Sequence, residues 1–219
     1  MKEIIDLSHT IEDGLITYEG LPAPIICDYL SRERSKEHYA EGVSFQIGKI
    51  EMVANTGTYI DVPFHRYEDG DDLATFPLQR LTDLEGILFR TEGQTISSDL
   101  FAGQEKEIEG KAILIRTGWD RHWREEEYFS GNHPFLTEDG ATFLRNAGAM
   151  LVGIDSYNID DTSDRHRPAH SILLGAGIPI VEHMTNLNAL PDRGFSFTAA
   201  PPRIAGMGSF PVRALAVIA

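Results

Sequence analysis

Short apolar runs rich in β-branched residues recur along the whole chain and limit what it can fold into. Several of these runs are apolar at consecutive positions, which is typical of strands that are covered on both faces. They predict strands at residues 3–7, 45–53, 87–90, 112–116, 150–154, 178–181 and 214–218. Within residues 45–53 the apolar phase slips near Gly48, which predicts a β-bulge there.

Helices are fewer than strands in this pattern. The clearest helix follows Thr137, whose hydroxyl can cap it, and can end at Gly148. Residues 98–102 can begin a second, short helix. The sequence has no internal repeat, low-complexity tract or long flexible linker. It therefore predicts one mixed α/β domain of high β content that spans residues 1–219.

Charge and cysteine content exclude several classes of function. Asp and Glu number 34 and Lys and Arg 19, which gives a formal net charge of −15. Nucleic acid and anionic membrane surfaces are recognised by clustered Lys and Arg, so neither partner is expected. Cys27 is the one cysteine, which excludes an internal disulfide and a cysteine-rich zinc site. The N-terminus has no signal-peptide core and no run approaches the ~18 apolar residues of a membrane span, which predicts a cytoplasmic protein.

Residues 55–65, Asn-Thr-Gly-Thr-Tyr-Ile-Asp-Val-Pro-Phe-His, are the most informative stretch. If the backbone is extended, side chains at every second position project to the same side. This places four polar side chains in one row: Asn55, Tyr59, Asp61 and His65. Pro63 should take the chain out of regular pairing and leave His65 on a rim. The row can be the floor of a site, or equally the solvated face of an edge strand.

A second stretch of interest covers residues 167–182. His170 precedes an apolar run, a Gly-Ala-Gly turn and a strand that ends in Glu182. A carboxylate at the C-terminal end of an apolar strand is a frequent site position in α/β proteins, although a surface glutamate is the alternative. Asp155 follows the strand at 150–154 in the same way, and there a capping role is at least as well favoured.

Together these stretches resemble the cyclase family of metal-dependent hydrolases, which includes bacterial kynurenine formamidases and isatin hydrolase. The family pattern is H-x-G-T-H-x-D-x-P-x-H, followed far downstream by a His and, twelve residues later, a Glu. This chain has N-T-G-T-Y-I-D-V-P-F-H at 55–65, and His170 and Glu182 are twelve apart. I-D-L-S-H at 5–9 and R-T-G-W at 116–119 also look like family blocks. The resemblance implies a strand-rich swivelling β/β/α domain that forms a homodimer or homotetramer.

The resemblance also assigns roles to residues. It implies that Asp61, His170 and Glu182 are metal ligands and that His65 is the acid/base. Asn55 and Tyr59 stand where two-metal members have the histidines that hold the first zinc. We therefore expect a single divalent ion, zinc or manganese, because one imidazole and two carboxylates suffice for a catalytic metal.

The sequence favours a hydrolase that acts on an amide, lactam or lactone bond of a small cyclic or aromatic compound. Tyr59 can donate a hydrogen bond to the developing oxyanion, Asn55 can contact the substrate, and Tyr18 is either an aromatic wall of the site or a core residue. Two alternatives stay open: a metal-independent isomerase or lyase that uses His65 and Tyr59 as an acid/base pair, and a non-catalytic small-molecule binder. Three further histidines lie among polar residues and are predicted to be on the surface: His122, His133 and His166.

Overall fold

A computed structural model describes residues 2–218 of the chain. These residues form the following strands: β1 (Glu3–Asp6), β2 (Ile25–Leu30), β3 (Ile47–Glu51), β4 (Tyr59–Asp61), β5 (Leu84–Arg90), β6 (Thr95–Ile96), β7 (Ala112–Arg116), β8 (Phe135–Leu136), β9 (Leu151–Ile154), β10 (Ile180–Glu182), β11 (Phe195–Thr198), β12 (Ser209–Pro211) and β13 (Leu215–Ile218). The helices are α1 (Arg32–Ser35), α2 (Glu105–Ile108), α3 (Glu138–Asn146) and α4 (Pro168–Gly175). Within residues 2–218, none of these helices has the length and apolar character that crossing a bilayer requires.

The core of the fold is a nine-stranded sheet within residues 2–218, in the order β1-β13-β11-β5-β7-β9-β10-β4-β12. Its central strands β5, β7, β9 and β10 are parallel, and the flanking strands pair antiparallel to them. Buried side chains fill both faces. Ile113 and Ile115 of β7 pack with Leu144 of α3 and Leu173 of α4, whereas Leu114 packs into the cluster on the opposite face. The apolar runs of the sequence correspond to this burial on both sides.

The predicted mixed, strand-rich α/β fold is confirmed, and every predicted strand overlaps an observed one. The predicted helix is α3, and the hydroxyl of Thr137 accepts a hydrogen bond from the Gly140 backbone N–H at 3.4 Å. Residues 98–102 instead form a 3-10 turn, Ser98–Phe101. The bulge expected near Gly48 lies on the partner strand, because the pairing register shifts between Asp28 and Leu30 of β2.

Strands β2 and β3 form a separate two-stranded ribbon. The ribbon carries large apolar side chains that face solvent, among them Ile25, Tyr29 and Ile50, which is 57% exposed. A two-stranded hairpin is marginally stable in water on its own, and exposed apolar patches mark interaction surfaces. The ribbon therefore presents an apolar surface that the rest of residues 2–218 does not cover.

Candidate active site

Six of the seven residues predicted for the site line one pocket of about 300 Å³ at the C-terminal end of β10. They are Tyr18, Asn55, Tyr59, His65, His170 and Glu182. The seventh, Asp61, is fully buried directly behind the pocket wall, with its carboxylate 3.5 Å from the ring of His65. Other walls of the pocket come from residues that sequence reasoning missed: Leu21, Arg66, Asn158 and Arg167.

The register of β4 explains how these side chains meet. β4 lies between β10 and β12, with Tyr59 opposite Glu182 and Asp61 opposite Ser209. Residues directly opposite each other on paired strands project to the same face. Tyr59 and Glu182 are therefore neighbours, as are Asp61 and Ser209. β4 is not the solvated edge strand that the sequence also allowed. It lies inside the sheet, and its three residues are buried.

The extended backbone predicted for residues 55–65 is found only at Tyr59–Asp61. Before β4, Gly57 has a φ of +64°, in the left-handed region that favours glycine. After β4, Pro63–His65 form a 3-10 turn, which a proline at the first position favours. The departure from regular pairing predicted at Pro63, with His65 on a rim, is confirmed, whereas residues 55–58 are not extended as a single row of side chains would require. The turns on both sides of β4 nevertheless bring Asn55 and His65 to the same pocket.

Close packing of β12 holds this turn in place. A Cβ added at Gly208 would lie 2.1 Å from the backbone N of His65, so only glycine lets the two segments approach so closely. Ser209 then follows with its hydroxyl between two site residues. Its Oγ lies 2.8 Å from Nδ1 of His65 and donates a hydrogen bond to Oδ1 of Asp61.

The hydroxyl of Ser209 determines which nitrogen of His65 carries the proton. A hydroxyl has one proton, and Asp61 can only accept when ionised, so Ser209 gives its proton to Asp61. Its oxygen then accepts the Nδ1–H of His65. Neutral His65 consequently keeps an unprotonated Nε2, which is free to take a proton.

His170 lies in a cage of buried carboxylates. Its Nδ1 is 2.6 Å from Oδ2 of Asp160, while its Nε2 is 3.6 Å from Oδ2 of Asp61 and 3.9 Å from Oε1 of Glu182. Burial lowers the pKa of His170, but the charge of Glu182 and the contacts with Asp160 and Asp61 raise it to about 10. The carboxylates around the ring therefore favour a positive charge on or next to Nε2.

Asp160, which sequence reasoning missed, also fixes the helix that carries His170. Its carboxylate accepts hydrogen bonds from the backbone N–H groups of Ala169 at 2.6 Å and His170 at 3.1 Å, in the first turn of α4. Unpaired N–H groups at a helix start favour such an anion. One carboxylate thus orients both the helix and the imidazole.

Glu182 is held by neutral donors. The Tyr59 hydroxyl donates to Oε2 at 2.5 Å, and the backbone N–H of Ile159 donates to Oε1 at 2.6 Å. The hydroxyl of Tyr18 lies 2.9 Å from that of Tyr59. Burial raises the pKa of Tyr59 well above its ordinary value, and the charge of Glu182 raises it further. Tyr59 is therefore a neutral phenol, which makes it a poor metal ligand.

The donor groups fit one divalent cation. Oδ2 of Asp61 is buried and has no hydrogen-bond partner among residues 2–218, although it faces His170. Ligand atoms of Asp61, His65 and His170 lie within 4.8 Å of one another. Asp160 on the far nitrogen of His170 is the arrangement that usually orients a metal-bound histidine. Either Glu182, as predicted, or His65 can complete the ligand set.

Of the three histidines predicted to be on the surface, one is not. His133 is fully buried, and its Nε2 lies 2.9 Å from the carbonyl oxygen of Asp160. Its polar sequence neighbours are typical of a loop, but this loop packs under the segment that carries Asp160. Asp155 accepts hydrogen bonds from the backbone N–H groups of Thr117 and Gly118, the turn-capping role that was the alternative for it.

Residues 5–161 match the model of the Cyclase family. The chain belongs to the cyclase family. Among its cyclase-family relatives is kynurenine formamidase of Bacillus cereus, 30% identical over 98% of this chain and 97% of the relative. Kynurenine formamidase of Geobacillus thermodenitrificans is 26% identical over 98% of this chain and 97% of the relative.

Solved structures of the same architecture agree with the cyclase-family assignment. A potential metal-dependent hydrolase with cyclase activity has a TM-score of 0.79 and 25% identity, over 100% of this chain and 99% of the other. Isatin hydrolase A from Labrenzia aggregata has a TM-score of 0.82 at 22% identity, over 99% and 94% of the two chains, and shows the same fold. The predicted family, fold and hydrolase class are confirmed, whereas the roles of individual site residues stay predictions.

Proposed function

We propose that this cyclase-family protein hydrolyses an amide, lactam or lactone bond of a small cyclic or aromatic compound, with one divalent metal ion and His65 as acid/base. The observation that carries the proposal is the pairing of His65 with Ser209 and Asp61 beside the carboxylate cage of His170. Relatives named kynurenine formamidase support an amide bond in particular.

His65 performs the proton transfers in this proposal. Its side chain is 35% exposed at the pocket, so its free Nε2 can reach a water molecule there. Nε2 takes a proton from the attacking water and then returns it to the leaving nitrogen or oxygen of the substrate. The Ser209 and Asp61 contacts keep the ring oriented during both steps.

Asp61, His170 and Glu182 would hold the metal ion. When bound, a divalent ion supplies Lewis-acid polarisation of the scissile carbonyl group. Two carboxylates and one imidazole suit zinc and manganese alike. His170 would hold the ion through Nε2, because Asp160 occupies its Nδ1.

The pocket walls orient the substrate. Tyr18 and Asn55 line the pocket and offer an aromatic face and an amide group to a ring-bearing substrate. Tyr59 serves the developing oxyanion as a neutral donor. In the structure the Tyr59 hydroxyl donates its hydrogen bond to Glu182 and holds that carboxylate in place. Stabilising an oxyanion therefore requires the hydroxyl to rotate toward the substrate.

A labelled-water experiment tests the proposed reaction. The purified protein is incubated in ¹⁸O-water with a panel of N-acyl arylamines, lactams and lactones small enough for the pocket, and products are measured by mass spectrometry. Hydrolysis places one labelled oxygen atom in the product carboxyl group. Conversion without incorporation of the label would instead indicate an isomerase or lyase, and absence of conversion across the panel would favour a non-catalytic binder.

We also propose that the protein forms a homodimer or homotetramer through the β2–β3 ribbon. Ile26 and Ile50 pair across the ribbon and are both exposed. Introducing a charge at Ile50 by Ile50→Glu should shift the particle mass in light scattering toward the 24.4 kDa of a single chain. Leu78→Glu is the matched control, since Leu78 is 60% exposed outside the ribbon. A wild-type mass equal to one chain contradicts the proposal.

A further inference from the structure

Two arginines line the active-site pocket beside its reacting groups: Arg66 and Arg167. Nη2 of Arg66 donates to the backbone carbonyl oxygen of His166 at 2.9 Å, and Nη1 of Arg167 donates to Oδ1 of Asn158 at 2.9 Å. Both acceptors are neutral, so these contacts orient the guanidinium groups without compensating their charge. The carbonyl that Arg66 binds belongs to the residue directly before Arg167, so the two arginines meet at one segment of the pocket wall.

Arg167 is held in an unusual backbone conformation. Its φ is 50°, in the left-handed region that non-glycine residues seldom adopt, and it directly precedes Pro168 at the start of α4. Asn158 fixes its side chain and in turn donates from Nδ2 to the Tyr18 hydroxyl at 2.9 Å. Strained residues that surrounding contacts hold in place cluster at binding sites. The guanidinium of Arg167 is therefore a preorganised donor on the pocket wall.

The electrostatics of the pocket differ from those of the whole chain. The chain carries a formal net charge of −15. Among the described residues that line the pocket, Glu182 is the one carboxylate, and Tyr59 and Ile159 already donate to both of its oxygens. Two cationic side chains line the pocket against one carboxylate, so the pocket is locally less acidic than the chain as a whole and can attract an anion near the arginines.

We propose that Arg66 and Arg167 bind a carboxylate group of the substrate that is separate from the bond being hydrolysed. The planar guanidinium group matches a carboxylate in a two-point hydrogen bond, and Tyr18 and Leu21 on the same pocket provide apolar contact for a ring. This inference rests on the proposed function and narrows its substrate class to aromatic or cyclic amides, lactams or lactones that carry a carboxylate.

Calorimetry with benzoate and benzamide tests the inference without requiring turnover. The two probes share a ring and differ in charge. The purified protein should bind benzoate at least tenfold more tightly than benzamide, and Arg167→Gln or Arg66→Gln should weaken benzoate binding by about tenfold or more while leaving benzamide unchanged. Arg193→Gln is the matched control, because it removes the same charge from an arginine that contacts Gln104 away from the pocket.

The outcomes separate this inference from the proposed function. Equal affinity for the two probes, no binding of either, or equal loss in Arg193→Gln and Arg167→Gln overturns carboxylate recognition even if hydrolysis is observed. Arginine-dependent benzoate binding in a protein that hydrolyses nothing supports the anion site and removes the hydrolytic proposal. If both hold, Arg167→Gln should raise KM for a carboxylate-bearing substrate and leave kcat nearly unchanged.

Discussion

Replacing His65 with glutamine is expected to lower kcat by a factor of about 10²–10⁴, the usual contribution of a general acid/base. Glutamine is polar and of similar reach, but it cannot accept and return a proton. His65 is 35% exposed and its replacement creates no large cavity, so the fold should survive. Steady-state kinetics with a substrate found in the labelled-water panel measures the effect, and thermal unfolding checks the fold.

Two further variants make the His65 result specific. His166→Gln removes a histidine whose side chain is 93% exposed, and its activity should equal that of the wild type. Ser209→Ala should cause a smaller loss of kcat, since Ser209 fixes which nitrogen of His65 is protonated without touching the substrate. Wild-type turnover in His65→Gln would exclude the acid/base role.

Local sequence patterns correctly predicted two kinds of element: strands that are buried on both faces, and a helix that begins at a clear capping residue. Residues 112–116 were placed without error as β7, because an apolar run covered on both faces has no competing interpretation. The start of α3 followed from Thr137. By contrast α4 was missed, since the apolar run near its end suits a buried helix and a buried strand equally well.

The sequence predicted those site residues that belong to a motif with a fixed spacing, and it missed the residues that join the site through the fold. Asp61 and His65 lie four residues apart, and the twelve-residue spacing joins His170 to Glu182. Ser209 contacts Asp61 across 148 positions of sequence, through the register of β12 on β4, and no local spacing encodes that register. Asp160 reaches His170 only because α4 begins beside it.

The purified protein is expected to contain about one divalent ion per chain, and His170→Asn should reduce that content to near zero. Asparagine can keep the donor that His170 presents to Asp160, but it has no counterpart of Nε2, which faces Asp61 and Glu182. Turnover should fall with the metal content. Elemental analysis of the wild type and the variant, with thermal unfolding to confirm that both fold, measures the effect.

Two matched variants identify the remaining ligands. Tyr59→Phe should retain the metal ion, because burial and the charge of Glu182 raise the pKa of Tyr59 and keep its phenol neutral. His65→Gln should also retain it, since Glu182 and not His65 completes the proposed ligand set. Loss of metal in His65→Gln would make His65 a ligand and would leave the acid/base role without a residue. The position of His65 would agree with that result, because its ligand atom lies within 4.8 Å of those of Asp61 and His170.

Treatment with a chelator tests whether the metal takes part in the reaction. Full activity of the metal-free protein would exclude the metal from the reaction, whereas loss of activity that zinc or manganese restores would identify the working ion.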